Sequence, residues 1–114
     1  MLVYVKKSTI PGAGKGLFAK TAIRRGSRLK ISGVLIRKKS LADQCTAFAD
    51  PYKFRVGAYL LIPLGYAGMV NHSVTPNLKK VIQGKTVYLE ALRPIRTGEE
   101  LCFCYSRYAQ NKFI

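Results

Sequence analysis

The residues able to do chemistry fall in three short strings. The first is Pro11-Gly12-Ala13-Gly14-Lys15-Gly16, followed by the apolar Leu17-Phe18-Ala19. Glycine loops can cradle phosphates, but neither standard form fits. A Walker loop needs Ser or Thr after its lysine and then a helix, whereas Lys15 precedes Gly16 and a strand-like run. The dinucleotide fingerprint also opens a helix. What remains is a turn whose bare backbone can approach a small ligand closely. The second string is Asn71-His72-Ser73-Val74-Thr75-Pro76-Asn77, which holds the single histidine of the chain. A lone histidine beside an apolar run is ordinarily a satisfied structural residue. Here short polar neighbours, which turn back onto the backbone, make a rigid and irregular corner of it. The third is Gly98-Glu99-Glu100-Leu101 leading into Cys102-Phe103-Cys104-Tyr105. Adjacent carboxylates on a strand face opposite ways, so they cannot form an acid/base pair. They read as turn and salt-bridge residues, and the Tyr105 phenol as either core or site.

Strand signals dominate the elements that must position these strings. Short apolar runs at residues 2–5 and 17–19 flank the glycine loop, and residues 28–37 read as one longer strand. Residues 40–50 are the best helical segment, with Ser40 as N-cap and Leu41, Cys45 and Phe48 on one side. Asp50-Pro51 ends it. Residues 56–62 are apolar and bounded by Gly57 and Pro63. Residues 77–82 and 86–92 flank Gln83-Gly84-Lys85 as a hairpin. Many short strands with closely spaced turns predict a compact β-rich domain with one short helix. At 114 residues the chain supports one domain.

Charge is the unusual quantity. Lys and Arg total 20 against 5 Asp and Glu, a net +15, and residues 1–39 carry eleven basic residues and no acid. That balance points to a polyanionic partner such as nucleic acid, a nucleoprotein or an acidic protein face. A coat that resists self-association is the plainer alternative. The three cysteines, Cys45, Cys102 and Cys104, are an odd number and argue against a disulfide framework. Alternation puts Cys102 and Cys104 on one face of a strand. With one histidine, a closed zinc site lacks ligands, so no metal is expected. No apolar stretch is long enough to span a membrane and no secretory leader is evident, so an intracellular setting is expected.

In this order and spacing, Gly14-Lys15-Gly16-Leu17-Phe18-Ala19, Asn71-His72-Ser73-x-x-Pro76-Asn77 and Gly98-Glu99-Glu100-Leu101 with Tyr105 resemble the SET-domain family of protein lysine methyltransferases. The match runs over roughly residues 3–107 and looks like a minimal SET domain spanning 1–114, similar in size to short viral and bacterial members. The resemblance implies a mainly β (α+β) fold of the SET β-clip type, with several small curved sheets, a C-terminal pseudoknot and one short helix. It implies S-adenosyl-L-methionine as methyl donor and a protein lysine as acceptor; the basic charge would steer such an enzyme to histone-like, chromatin or ribosomal substrates. By the same resemblance Tyr105 is the catalytic-site phenol, Asn71 and His72 hold the cofactor, and backbone around Lys15, Gly16 and Leu17 contacts it. Tyr52 takes the place of an aromatic wall of the lysine channel, with Phe54, Tyr59 and Tyr66 as competitors.

Several positions depart from the family pattern. The cysteine-rich segment after the catalytic tyrosine is absent, because residues 106–114 contain no cysteine. The channel must be closed by Tyr108, Phe113 and Ile114, by a partner chain (a homodimer among the arrangements left open), or by the substrate. Cys104 stands where many members have Asp, and Lys80 where some place a second aromatic, which leaves the number of transferred methyl groups open. A strongly basic chain suits a basic peptide only if Asp43, Asp50, Glu90 or Glu99 line the cleft. A rival reading keeps the scaffold but not the catalysis: a SET-like module that sits on nucleic acid or nucleoprotein through its basic surface.

Overall fold

The computed structural model describes residues 1–105. In chain order its strands are β1 (Val3–Lys7), β2 (Lys15–Ala19), β3 (Arg28–Ile31), β4 (Gly33–Arg37), β5 (Phe54–Val56), β6 (Tyr59–Pro63), β7 (Asn71–His72), β8 (Leu78–Gln83), β9 (Thr86–Ala91) and β10 (Glu100–Phe103). Between β4 and β5 lie a single α-helical turn, α1 (Leu41–Cys45), and a 3-10 segment, Ala47–Tyr52. A second 3-10 segment, Gly65–Met69, leads into β7. Among the described residues no helix is long and apolar enough to cross a membrane.

The strands form two curled sheets. The larger runs β1-β2-β10-β8-β9-β3, with β7 attached to β10, and the smaller runs β4-β6-β5. β10 lies inside the larger sheet although it comes last among the strands of the described residues. One edge pairs antiparallel with β2, Leu101 opposite Leu17. Further along, β10 runs parallel to β7, Cys102 opposite Asn71 and Phe103 opposite His72, and its edge away from β2 meets β8 at Leu78. A C-terminal strand set between an early and a middle segment gives the SET-like architecture that the resemblance implies. It places apolar side chains of distant origin in one core: Leu17, Leu78, Leu89 and Leu101 are all fully buried. The expected hairpin is β8–β9, and the residues of β9 are alternately half-buried and buried.

Three expectations are corrected. The single strand foreseen over 28–37 is two, because the chain changes sheets at Ser32. Gly33 makes this crossing feasible: a Cβ there would strike the Ile62 carbonyl, so the backbones of β4 and β6 meet closer than a side chain permits. The apolar run at 56–62 is likewise divided, by Gly57 in a left-handed turn (φ +58°) between β5 and β6. The helix is shorter than the 40–50 segment. Ser40 does cap it, its Oγ accepting from the Asp43 N–H at 3.2 Å. Lys53 then gathers the Asp43 and Asp50 carboxylates at 2.8 and 2.6 Å, pulling the chain into a 3-10 turn instead of further helix. Leu41 and Phe48 are consequently 74% and 82% exposed, and the anticipated apolar side does not join the core.

This difference is measurable. Leu101→Ala should cost about 2–5 kcal/mol of stability in urea unfolding, the range for a truncated core leucine, whereas Leu41→Ala should change it by less than about 0.5 kcal/mol. Comparable losses at the two positions would contradict the assignment of β10 to the core.

Candidate functional site

The parallel pairing of β10 with β7 delivers Tyr105 to the Asn71-His72 corner. The Tyr105 backbone N–H donates to His72 Nδ1 at 3.0 Å, and its phenol O–H donates to the Val70 carbonyl at 2.9 Å. The two rings meet edge to face, centroids 5.2 Å apart, and the Phe103 ring packs on Tyr105 at 5.0 Å. Because Nδ1 of His72 accepts, the ring proton resides on Nε2. Burial first, then the neighbouring Cys102 and Tyr52, pushes the Tyr105 phenol up to about 12. It is therefore a neutral hydroxyl at physiological pH, fixed at both ends of the residue.

Asn71 performs the equivalent task toward the glycine loop. Its Nδ2 donates to the Lys15 carbonyl and to Glu100 Oε2, each at 3.0 Å. Glu100 also accepts from Ser8 Oγ (2.7 Å), the Thr9 N–H (3.0 Å) and Thr9 Oγ1 (2.7 Å). Gly16 faces this cluster, and a Cβ there would land on the Glu100 carboxylate and 3.2 Å from Asn71 Nδ2. Burial works to raise the Glu100 carboxyl, but the hydrogen bonds from Asn71, Ser8 and Thr9 outweigh it and the net shift is downward. The second asparagine of the string clamps β10 itself. Buried Asn77 donates from Nδ2 to the Glu100 carbonyl at 2.8 Å and accepts the Cys102 N–H at 2.9 Å. Ser73 Oγ accepts from the Thr75 N–H at 3.0 Å, the local side-chain turn expected of this corner.

Three openings converge on Tyr105. A cleft of about 580 Å³ has Lys15, Phe48, Tyr52, Asn71 and Tyr105 in its walls. A second, of about 520 Å³, lies between the loop at residues 10–13 and Asn71, His72 and Tyr105. Both fall within the roughly 300–1,000 Å³ of small-molecule sites. The third is a narrow crevice of about 40 Å³ bounded by Tyr52, Phe54, Arg55, Val70, Lys80 and Tyr105. Lys80 Nζ donates to the Arg55 carbonyl at 3.1 Å. Burial, then the Arg55 and Lys38 charges, lowers its pKa.

The structure thus brings together Lys15, Asn71, His72, Tyr105 and Tyr52. Gly16 supports the site without lining either cleft, and Leu17 is fully buried in the core, its place in β2 paired with Val5 and Leu101. Of the aromatic competitors, Phe54 reaches the crevice, stacked on Phe103 at 5.5 Å. Tyr59 lies in the smaller sheet among Arg37 and Lys85, and Tyr66 lines none of the three openings. Glu100 is no salt-bridge residue; Glu99 is, paired with Arg93 at 2.9 Å. Cys102 and Cys104 do not share a face, because β10 ends at Phe103; the first is buried, its thiol pushed up to about 11, and the second exposed. Asp43, Asp50, Glu90 and Glu99 line none of the openings, each being engaged with a cation of the chain. Tyr108, Phe113 and Ile114 lie outside the described residues.

Comparison with known proteins agrees with this geometry. The SET domain family matches residues 14–106, and the chain belongs to that family of lysine methyltransferases. A candidate histone methyltransferase from Plasmodium falciparum superposes with a TM-score of 0.72 at 23% identity, covering 92% of this chain and 93% of that one. A humanized Chaetomium thermophilum Polycomb Repressive Complex 2 bound to the inhibitor GSK126 superposes with a TM-score of 0.78 at 23% identity. An active polycomb repressive complex 2 in the basal state gives 0.79 at 24%. This chain is 92% covered in both and spans 15% of each of those larger chains. Among curated proteins no sequence matches it.

Glu100 offers a test of the corner. A carboxyl held below its ordinary value adds stability that is full above that value, near 4.3, and is lost as pH falls through the folded one. Glu100→Gln should lower stability by about 1–2 kcal/mol at pH 7. The gap to the native protein should then shrink on acidification toward pH 3. A gap that stays constant with pH would contradict the role of the carboxylate.

Proposed function

We propose that the chain is an S-adenosyl-L-methionine-dependent protein-lysine N-methyltransferase. The observation that carries the reading is Tyr105, bound through its N–H and O–H to the Val70–His72 corner and present in the walls of all three openings. The polar groups of the corner suit the cofactor. Both Asn71 amide hydrogens are used internally, so its remaining group is the Oδ1 acceptor, apt for a ligand ammonium. His72 keeps its Nε2–H as a donor. Loop residues 10–13 border the same cleft with bare backbone, Gly12 in a left-handed conformation (φ +76°). When bound, the cofactor supplies a methyl group activated by an adjacent sulfonium.

What the protein must supply is alignment, a dry channel and a neutral acceptor amine. Tyr105 provides the first: its donor bond to the Val70 carbonyl fixes the phenol beside the place where methyl and incoming amine would meet. Tyr52 and Phe54 supply apolar walls for a lysine stem, and aromatic faces tolerate the cationic product. Arg55 and Lys80 place positive charge around the crevice, which favours the uncharged form of a third amine there. The acceptor is a lysine of a histone-like, chromatin or ribosomal protein, the first of these supported by the name of one structural neighbour. With Asp43, Asp50, Glu90 and Glu99 outside the openings, basic flanks of that lysine are not met by these acids, against the expectation from sequence. An intracellular setting, where the cofactor is available, accompanies this reading.

The test is transfer of labelled methyl to protein from a whole lysate. Tyr105→Phe should lower the rate roughly a hundredfold, the scale of a lost alignment, while still binding S-adenosylhomocysteine in calorimetry. Asn71→Ala should lose that binding. Equal labelling by native protein and Tyr105→Phe would refute the role of the phenol, and absence of heat with the native protein would refute the cofactor.

A further inference from the structure

The acids of this chain are spent on its own architecture. Four of the five carboxylates pair with Arg28, Lys53, Lys79 and Arg93, and the fifth, Glu100, is occupied by hydroxyl and amide donors. Several surface lysines, Lys30 and Lys85 among them, have no side-chain carboxylate of the described residues paired with them. One group of them is organised. Where the two sheets meet at Ser32, a groove of about 230 Å³ is rimmed by Lys30 and Lys85, with Ser32 and Thr86 beside them and Ile31 and Leu61 at its base. It shares no wall residue with the openings around Tyr105.

One of the two lysines at this groove is held by an aromatic ring outside it. Lys85 sits in the β8–β9 turn and reaches across to the smaller sheet, its Nζ 4.5 Å from the centre of the Tyr59 ring. Arg37, outside the groove, lies 5.4 Å from the same ring. An ammonium resting on an aromatic face keeps its N–H donors for other acceptors and loses less freedom when it engages one. The buried apolar base reduces dielectric screening, so the field of the rim is concentrated in the groove. Hydroxyl donors from Ser32 and Thr86 complement cations in the way phosphate oxygens require. Tyr59, occupied by its own cations, is not offered for base stacking, which favours contact with backbone over bases.

We propose that this groove binds the sugar-phosphate backbone of nucleic acid, independently of sequence and apart from the methyl-transfer site. Such a contact would hold a basic enzyme on a nucleoprotein whose protein component is also basic.

The experiment is anisotropy of a labelled 20-base-pair DNA duplex titrated with the full chain from about 50 to 200 mM salt, with no methyl donor present. The native protein should bind with a steep salt dependence. The double variant Lys30→Gln/Lys85→Gln should bind more weakly and with a log–log slope shallower by about 2, one phosphate contact per lysine. The control Lys20→Gln/Arg24→Gln, with the same charge change away from the groove, should keep the native slope. Thermal melting of both variants checks that they remain folded. Absence of salt-dependent binding, equal loss in both variants, or tighter capture of polyglutamate than of DNA would overturn the proposal. None of these outcomes bears on methyl transfer.

Discussion

The placement of β10 is the constraint on which the site depends. Four residues of strand make few ladder bonds, so the segment needs partners on both edges and at both ends. β2 and then Asn71-His72 of β7 take one edge, and Asn77 with the start of β8 takes the other by side chain and backbone. Asn77 supplies a donor and an acceptor where no strand is available. The buried Leu101 makes the insertion thermodynamically favourable, and the asparagines make it specific in register. Slippage by one residue would turn Leu101 outward and carry Tyr105 away from His72.

The functional groups sit at the two ends of this strand. Glu100 at its start draws the glycine loop and Asn71 together. Tyr105, just past its end, closes on Val70 and His72. Loop, corner and phenol come from three separate stretches of chain, and one short strand coordinates all of them. Gly16 is the matching concession in β2: any side chain there would occupy the space taken by the carboxylate. The tyrosine hydroxyl is buried enough to stay neutral and is oriented by its own donor bond, which is the state an aligning group requires.

Much of this was legible in the residues. Two strand-like runs around Gln83-Gly84-Lys85 announced the β8–β9 hairpin, and the motif order announced the family and the meeting of Asn71, His72 and Tyr105. Other features depend on contacts that sequence spacing does not encode. The break at Ser32 arises from backbone proximity at Gly33, which becomes visible only once β6 is beside it. The shortened helix follows from Lys53, which captures carboxylates from two turns. Glu100 read as a salt-bridge residue because the chain is full of cations. Its actual partners are neutral donors from residues 8, 9 and 71. The one available signal was that neighbouring carboxylates point to opposite sides of a strand, so Glu99 and Glu100 could not share a role.

The most direct test of the central claim, that β10 builds one ligand-binding corner from distant segments, is an amide NMR titration with S-adenosylhomocysteine. The account predicts that Ala13, Asn71, His72 and Tyr105 shift along one common saturation curve, while Lys30 and Lys85 stay in place. Shifts confined to other surfaces, or separate curves for His72 and Tyr105, would contradict it.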